Sequence, residues 1–197
     1  PRIKLPFRAG CGLDNLDLDY VTHHGIKLVR IPQPSAKAVA EMAIALMLAL
    51  SRNLRIADGL LRQGHWAKHQ LESHLLHGKT LGIVGAGNIG SHVGQLGAAL
   101  GMKPVGCVEK PTTAVIAELR SKGIRSATFD EVVRNADYLS IHVPLSNSTT
   151  NLIDASVLSR MKAGAYLINL ARGGVVDEAA LLHELQKGRL GGAALDV

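Results

Sequence analysis

Gly85, Gly87 and Gly90 stand in GxGxxG spacing at the point where the apolar run Leu81-Gly82-Ile83-Val84 stops. Each glycine has its own task in the chemistry this spacing predicts. Gly85 permits a tight strand-to-helix turn, Gly87 lets the main chain approach a pyrophosphate, and Gly90 lets helix and strand pack closely. A helix starting there turns free N–H groups and the positive end of its dipole toward phosphate. The spacing alone is a weak signal. It gains weight from its flanks, a strand up to Val84 and a helix over Ile89 to Leu100.

Arg172 is the second residue with chemistry to offer. It follows the apolar strand Tyr166-Leu167-Ile168-Asn169-Leu170 and precedes Gly173-Gly174, so a rigid sheet would hold a planar, permanently charged fork at its edge. A guanidinium binds a carboxylate through two parallel hydrogen bonds and polarises an adjacent carbonyl, and a 2-oxo acid carries both groups on neighbouring carbons. The bland alternative is a surface ion pair with Asp177 or Glu178. Four histidines, His65, His69, His74 and His77, are candidate metal ligands by type, since His65 and His69 are four apart and could share a helix face. No carboxylate or cysteine completes a set, Gly64 and Gly78 bracket the stretch as a linker, and no metal is expected.

The elements that must position these residues follow from periodicity. From residue 79 onward, strands near 80–84, 105–108, 138–142, 165–169 and 192–196 alternate with helices near 88–100, 113–122, 154–161 and 177–187. Such alternation predicts a parallel, doubly wound α/β sheet with right-handed crossovers. In that fold ligands sit beyond the carboxyl ends of the strands, where strand order reverses. The rule selects Gly85 to Ile89, Val108 and Glu109, His142 to Pro144, Leu170 to Arg172, and Asp196.

Upstream, residues 1–34 carry a glycine-containing loop at 8–15, a short helical stretch and a strand at 26–31. Pro32 and Pro34 end that strand, and Ser35 is read as the N-cap of one long helix in which Val39, Met42, Leu46, Leu50, Leu54 and Leu61 recur at about 3.6-residue spacing. Its first half is apolar nearly all round, which predicts burial between domains or against a second subunit.

Composition bounds the rest. The 197 residues are 47% apolar and only 3% aromatic, with a net charge of +6. That is enough for a core built from aliphatic side chains and suits anionic ligands. No Lys/Arg block interleaves with stacking aromatics, so nucleic acid is not an expected partner. The longest apolar run, Val39 to Leu50, includes Glu41 and spans 12 residues, short of the roughly 20 needed to cross a bilayer. Cys11 and Cys107 form no CxxC, which favours a reducing cytoplasm. Pro1 is an unusual start and Val197 follows a strand without a closing helix, so the sequence reads as a fragment.

Taken together, Arg8-Ala9-Gly10-Cys11-Gly12-Leu13-Asp14-Asn15, the GAGNIG turn, His142-Val143-Pro144-Leu145 and Asn169-Leu170-Ala171-Arg172-Gly173-Gly174-Val175-Val176-Asp177-Glu178 resemble the D-isomer-specific 2-hydroxyacid dehydrogenases. The likeness runs in order along the whole chain. It implies a Rossmann dinucleotide-binding domain over 79–197, an interdomain helix and linker over 35–78, and the end portion of a flavodoxin-like substrate domain over 1–34. It also implies a homodimer that acts on a small 2-hydroxy or 2-oxo acid with a nicotinamide cofactor.

By the same resemblance, Asn88 and Ile89 place N–H groups on the pyrophosphate. His142, Val143, Pro144, Leu170 and Ala171 belong to the nucleotide groove, Asp196 holds the nicotinamide carboxamide, and Ala9, Gly10 and Cys11 reach over substrate and nicotinamide. Arg172 binds substrate and polarises its carbonyl. The family's proton-carrying histidine and its orienting glutamate fall beyond the position of Val197. His142, a strand-end residue, is not expected to replace them.

The acidic residue expected about 20 positions past the glycine turn, which accepts from the ribose 2′-hydroxyl, is replaced by Val108. Glu109 swinging into that place would favour NAD, whereas Lys110 beside a neutral Val108 would tolerate a 2′-phosphate. NAD is the first expectation and NADP the second. The rival to an enzyme is a dinucleotide-sensing binding protein resembling the C-terminal-binding-protein co-repressors.

Overall fold

The computed structural model describes residues 5–8, 12–13, 16–30 and 32–197. Two short strands, β1 (Phe7–Arg8) and β2 (Val29–Arg30), pair in parallel across α1 (Leu18–His23). Then come α2 (Pro32–Ser51) and α3 (Leu54–Arg62), followed by β3 (Thr80–Val84), α4 (Asn88–Ala99), β4 (Lys103–Cys107), α5 (Thr113–Ser121), β5 (Arg125–Ser126), α6 (Phe129–Asn135), β6 (Tyr138–Ile141), α7 (Ala155–Arg160), β7 (Tyr166–Asn169), α8 (Glu178–Gln186) and β8 (Gly192–Leu195).

The six strands β3 to β8 form one parallel sheet in the order β5-β4-β3-β6-β7-β8. This is the Rossmann arrangement, and strand order reverses between β3 and β6. The central strands are largely apolar because helices cover both faces, with Ser140 and Asn169 as buried polar exceptions. On one face Val105, Leu139, Ile141 and Leu167 pack with Val132 and Val133 of α6, Val157 and Leu158 of α7 and Leu181 of α8. On the other, Leu81, Ile83, Tyr138 and Ile168 pack with Val93 of α4, Leu119 of α5 and the stripe Ala40, Ala43, Ile44 and Met47 of α2.

Several expectations need correction. The long helix begins at Pro32 and needs no cap at Ser35, since proline is tolerated in a first turn where its missing N–H has no partner to lose. It also breaks in two at Asn53, which takes a left-handed φ of 52° and starts α3 afresh. Burial of α2 is one-sided within the chain, because Met42 and Leu48 are exposed while Ala40, Ala43 and Met47 are buried. β1, β5 and α6 are further elements that the periodicity did not reveal; the first two are two-residue strands and α6 is two turns long, too short for a period to register. Of the strand expected at 26–31, Val29–Arg30 is strand, 26–28 is not, and Ile31 lies outside the described residues.

Candidate functional site

The paired residues Cys107, Val84, Ile141, Asn169 and Leu195 form one row across the sheet. The residue after each, Val108, Gly85, His142, Leu170 and Asp196, therefore lies at one edge. Three of these are tied back to the row: Gly85 N–H donates to Cys107 O at 3.1 Å, His142 N–H to Val84 O at 2.8 Å, and Asp196 N–H to Asn169 O at 3.0 Å. Sequence-predicted residues from five strands thus meet at the carboxyl ends, with Gly85 and His142 flanking the reversal of strand order. Ala9, Gly10 and Cys11 lie outside the described residues.

The three glycines differ in what excludes a side chain. Gly85 has φ +88°, and a Cβ there would come within 2.9 Å of the His142 carbonyl group and 2.8 Å of Val143 Cγ1. Gly90 is closed by contact, since a Cβ would sit 2.4 Å from Gly85 O and 2.8 Å from Ile83 Cγ2. Gly87 is another case: it is exposed, a Cβ there would meet nothing within 4 Å, and its backbone, φ −81° and ψ −145°, lies in neither the helical nor the extended region. Contacts within the chain exclude a side chain at Gly85 and Gly90, and none does so at Gly87.

Gly87 is also the N-cap of α4, and it supplies no side-chain acceptor. The first N–H groups of a helix have no intrahelical partner, so Asn88, exposed, and Ile89, half-buried, begin a bare helix start at the crevice. The turn itself is held firmly, because Cys107 O accepts from both Gly85 N–H and Ala86 N–H, the latter at 2.9 Å. The Cys107 thiol is buried and donates to Ile83 O at 3.7 Å. Burial pushes its pKa up, so it is structural rather than reactive.

Beyond β7 the chain is fixed by Asn169, whose side chain accepts from Ala171 N–H and donates to Arg172 O, both at 3.0 Å. Arg172 is half-buried and donates from Nη1 to Ala171 O at 2.6 Å. Asp177 caps α8 by accepting from Ala180 N–H at 2.9 Å. Asn151 N–H donates to Gly174 O at 2.8 Å and pins the far side of the same loop. The guanidinium is therefore carried on a braced turn at the crevice edge. Leu170 packs against the core, Ala171 is buried, and Asp196 is exposed.

His142 is half-buried as a residue, but its Nδ1 is fully buried with no hydrogen-bond partner among the described residues. Its Nε2 lies 2.8 Å from Ser140 Oγ. Burial pushes the imidazole pKa down to about 4, so the ring is neutral near pH 7. A neutral, buried ring is poorly suited to exchange protons near neutrality. Val143 is half-buried and Pro144 exposed at the mouth of the loop after β6, which Thr149 closes by donating to Pro144 O at 2.6 Å and accepting from Ser146 N–H at 2.8 Å.

Asn169, Ser140 and Thr149 escaped the sequence reading as positioning residues. The first two left a trace, a single polar residue inside an otherwise apolar strand, which is buried and must be hydrogen-bonded.

The family described as "D-isomer specific 2-hydroxyacid dehydrogenase, NAD binding domain" matches residues 44–197. Over 196 residues the chain is 40% identical to a hydroxypyruvate reductase from Thermotoga maritima, covering 99% of this chain and 62% of that protein. It is 39% identical to a D-3-phosphoglycerate dehydrogenase from Bacillus subtilis, covering 99% of this chain and 37% of that protein.

Among solved structures it is similar to a D-lactate dehydrogenase from Aquifex aeolicus complexed with NAD and lactic acid, with TM-score 0.87, 36% identity, and coverage of 100% of this chain and 58% of that one. A glyoxylate reductase from Paecilomyes thermophila gives TM-score 0.89 at 34% identity, covering 98% and 58%. The chain thus spans between 37% and 62% of the length of these relatives. Among the described residues no helix is long and apolar enough to cross a membrane.

Proposed function

The chain belongs to the D-isomer specific 2-hydroxyacid dehydrogenases, whose NAD-binding domain it carries, and on that footing we propose that the whole protein is an oxidoreductase. It passes a hydride between a nicotinamide dinucleotide and a small D-2-hydroxy acid or its 2-oxo counterpart. One observation carries the reading. Contacts within the fold exclude a side chain at Gly85 and Gly90 but not at Gly87, and the bare main chain of Gly87, exposed at an uncapped helix start, suits a ligand that comes close. The relatives above are named for turnover, which favours an enzyme over a dinucleotide-sensing binding protein.

In this proposal Asn88 and Ile89 offer N–H groups to the pyrophosphate. His142, Val143, Pro144, Leu170 and Ala171 line the groove, and Asp196 accepts from the carboxamide. The nicotinamide, when bound, supplies or takes up the hydride. Arg172 grips the substrate carboxylate with its fork and polarises the neighbouring carbonyl, while Ala9, Gly10 and Cys11 close over the substrate. Neutral His142 does not fit the task of proton carrier, which in this proposal falls to a histidine oriented by a glutamate. The domain boundaries proposed are 1–34, 35–78 and 79–197.

A homodimer completes the proposal. Exposed Met42 and Leu48 on α2 continue into exposed Leu54, Ile56 and Leu61 on α3 and Trp66, which is 74% exposed, and apolar surface of this kind marks an interface. A cytoplasmic setting fits the free thiol of Cys107.

The test is to assay the full-length protein for NADH and NADPH oxidation across a panel of 2-oxo acids. Turnover with at least one is expected, and none with any of them ends the enzyme reading. Arg172→Lys keeps the charge but loses the fork, so it should raise KM and lower kcat together; unchanged kinetics would remove Arg172 from the active centre. Sedimentation should give a dimer that Trp66→Asp converts to monomer.

A further inference from the structure

Side chains alternate along β4 and just past its end. Val105 and Cys107 pack into the core of α6, α7 and α8, whereas Val108 packs into the other core, the one that also takes up Ile89 of α4. Val108 is thus turned toward the helix that carries the glycine turn. In dinucleotide folds the acidic residue about 20 positions past that turn accepts hydrogen bonds from the adenosine ribose 2′-hydroxyl. Such a carboxylate has a second effect, because it repels a phosphate at the same position. The isopropyl group of Val108 does neither.

No nearby charge restores the exclusion. The chain bends at Glu109 and Lys110, both exposed, and neither is in an ion pair among the described residues. Their opposite charges leave the bend without the net negative field that would reject a phosphate. Next comes the start of α5, where Thr112 Oγ1 accepts from Val115 N–H and the first turn holds no acidic residue. Its positive dipole end begins within two or three residues of the bend.

We propose that this site admits a 2′-phosphorylated adenosine ribose, so that the chain takes NADPH as well as NADH, with Lys110 supplying the charge that meets the added phosphate. The inference rests on the crevice being the dinucleotide site.

Calorimetric titration of the chain with ADP-ribose and with its 2′-phosphate tests it without calling on nicotinamide or turnover. Dissociation constants within about fivefold of each other are expected, and the 2′-phosphate form should weaken more steeply with added salt. Val108→Asp should then cost the 2′-phosphate form about twentyfold while leaving ADP-ribose within about twofold. Lys110→Ala should cost the 2′-phosphate form about threefold and ADP-ribose nothing.

A preference of about fiftyfold or more for ADP-ribose overturns the proposal and leaves the dinucleotide reading intact. So does a loss of ADP-ribose affinity of about tenfold in Glu109→Gln, which would show Glu109 serving the ribose after all. If neither compound binds, the crevice reading falls and takes this inference with it.

Discussion

Helices α4 and α8 leave the same edge of one sheet, the first after β3 and the second after β7, and their first turns are built in opposite ways. Asp177 caps α8 with its carboxylate on Ala180 N–H, and Glu178 adds a negative charge to the first turn. Thr112, Thr128 and Asp154 do the same service for α5, α6 and α7. At α4 a glycine stands at the cap, the first turn holds no acidic residue, and no side chain accepts from it. A cap is worth about 1 kcal/mol, so leaving one out where four neighbours have it sets stability aside at the place where an anion would complete the helix start. The backbone of His142 lies against the same turn, and its Nδ1 is buried with no hydrogen-bond partner among the described residues. The crevice side of the sheet edge withholds what the α8 side supplies from its own side chains.

Four outcomes would break or sharpen that contrast. The largest effect is expected from Gly90→Ala, because the new methyl meets the Gly85 carbonyl, a backbone atom that no rotamer change moves aside. A loss of about 4 kcal/mol in urea unfolding is expected, and a variant of normal stability would show that close packing is not what Gly90 provides.

Next comes pH. The His142 ring stays neutral in the folded chain down to about 4, whereas in the unfolded chain it takes up its proton around its ordinary value of about 6.5. The unfolded state therefore binds more protons between those values, and stability falls as pH drops from about 6.5 to 4, by as much as about 3 kcal/mol. Above about 6.5 this contribution is flat. His142→Gln should remove the slope from a urea series run across that window; an unchanged slope would assign it to other groups.

A smaller and cleaner effect belongs to Gly87→Ala. Its methyl meets nothing in the chain, so the free energy of unfolding should change by only about 0.5 kcal/mol, while NADH affinity by fluorescence titration drops about tenfold. Equal affinity would mean that the third glycine serves no ligand, and the contrast with α8 would lose its functional meaning. Last, Asp177→Ala should cost about 1 kcal/mol of stability with NADH affinity unchanged. Should affinity fall instead, α8 would belong to the site and the two helix starts would not be separable.

Much of this was legible before any coordinates. The largely apolar runs at β3, β6 and β7 announce strands covered on both faces, and the distances between them leave room for crossover helices. The glycine spacing carries its own geometry, because a positive φ at Gly85 and a contact at Gly90 are local demands. Arg172 was legible for the same reason, being placed at a strand end by the residues before it. The break of the long helix at Asn53 was not legible, since the apolar spacing runs on through it. β5 was not legible either, as Arg125-Ser126 is a strand only through its pairing with Val105-Gly106 of β4.

What the amino-acid order determined by itself is the set of short-range requirements: which segments alternate, where the chain turns, and which residues end up at strand ends. Those follow from backbone geometry within a few residues of each other. Only the tertiary structure decided that Val108 turns toward α4, that His142 stays neutral, that Asn169 braces the loop carrying Arg172, and that Gly87 faces open space. Each of these depends on neighbours remote in sequence, through burial, hydrogen bonding and contact across the sheet.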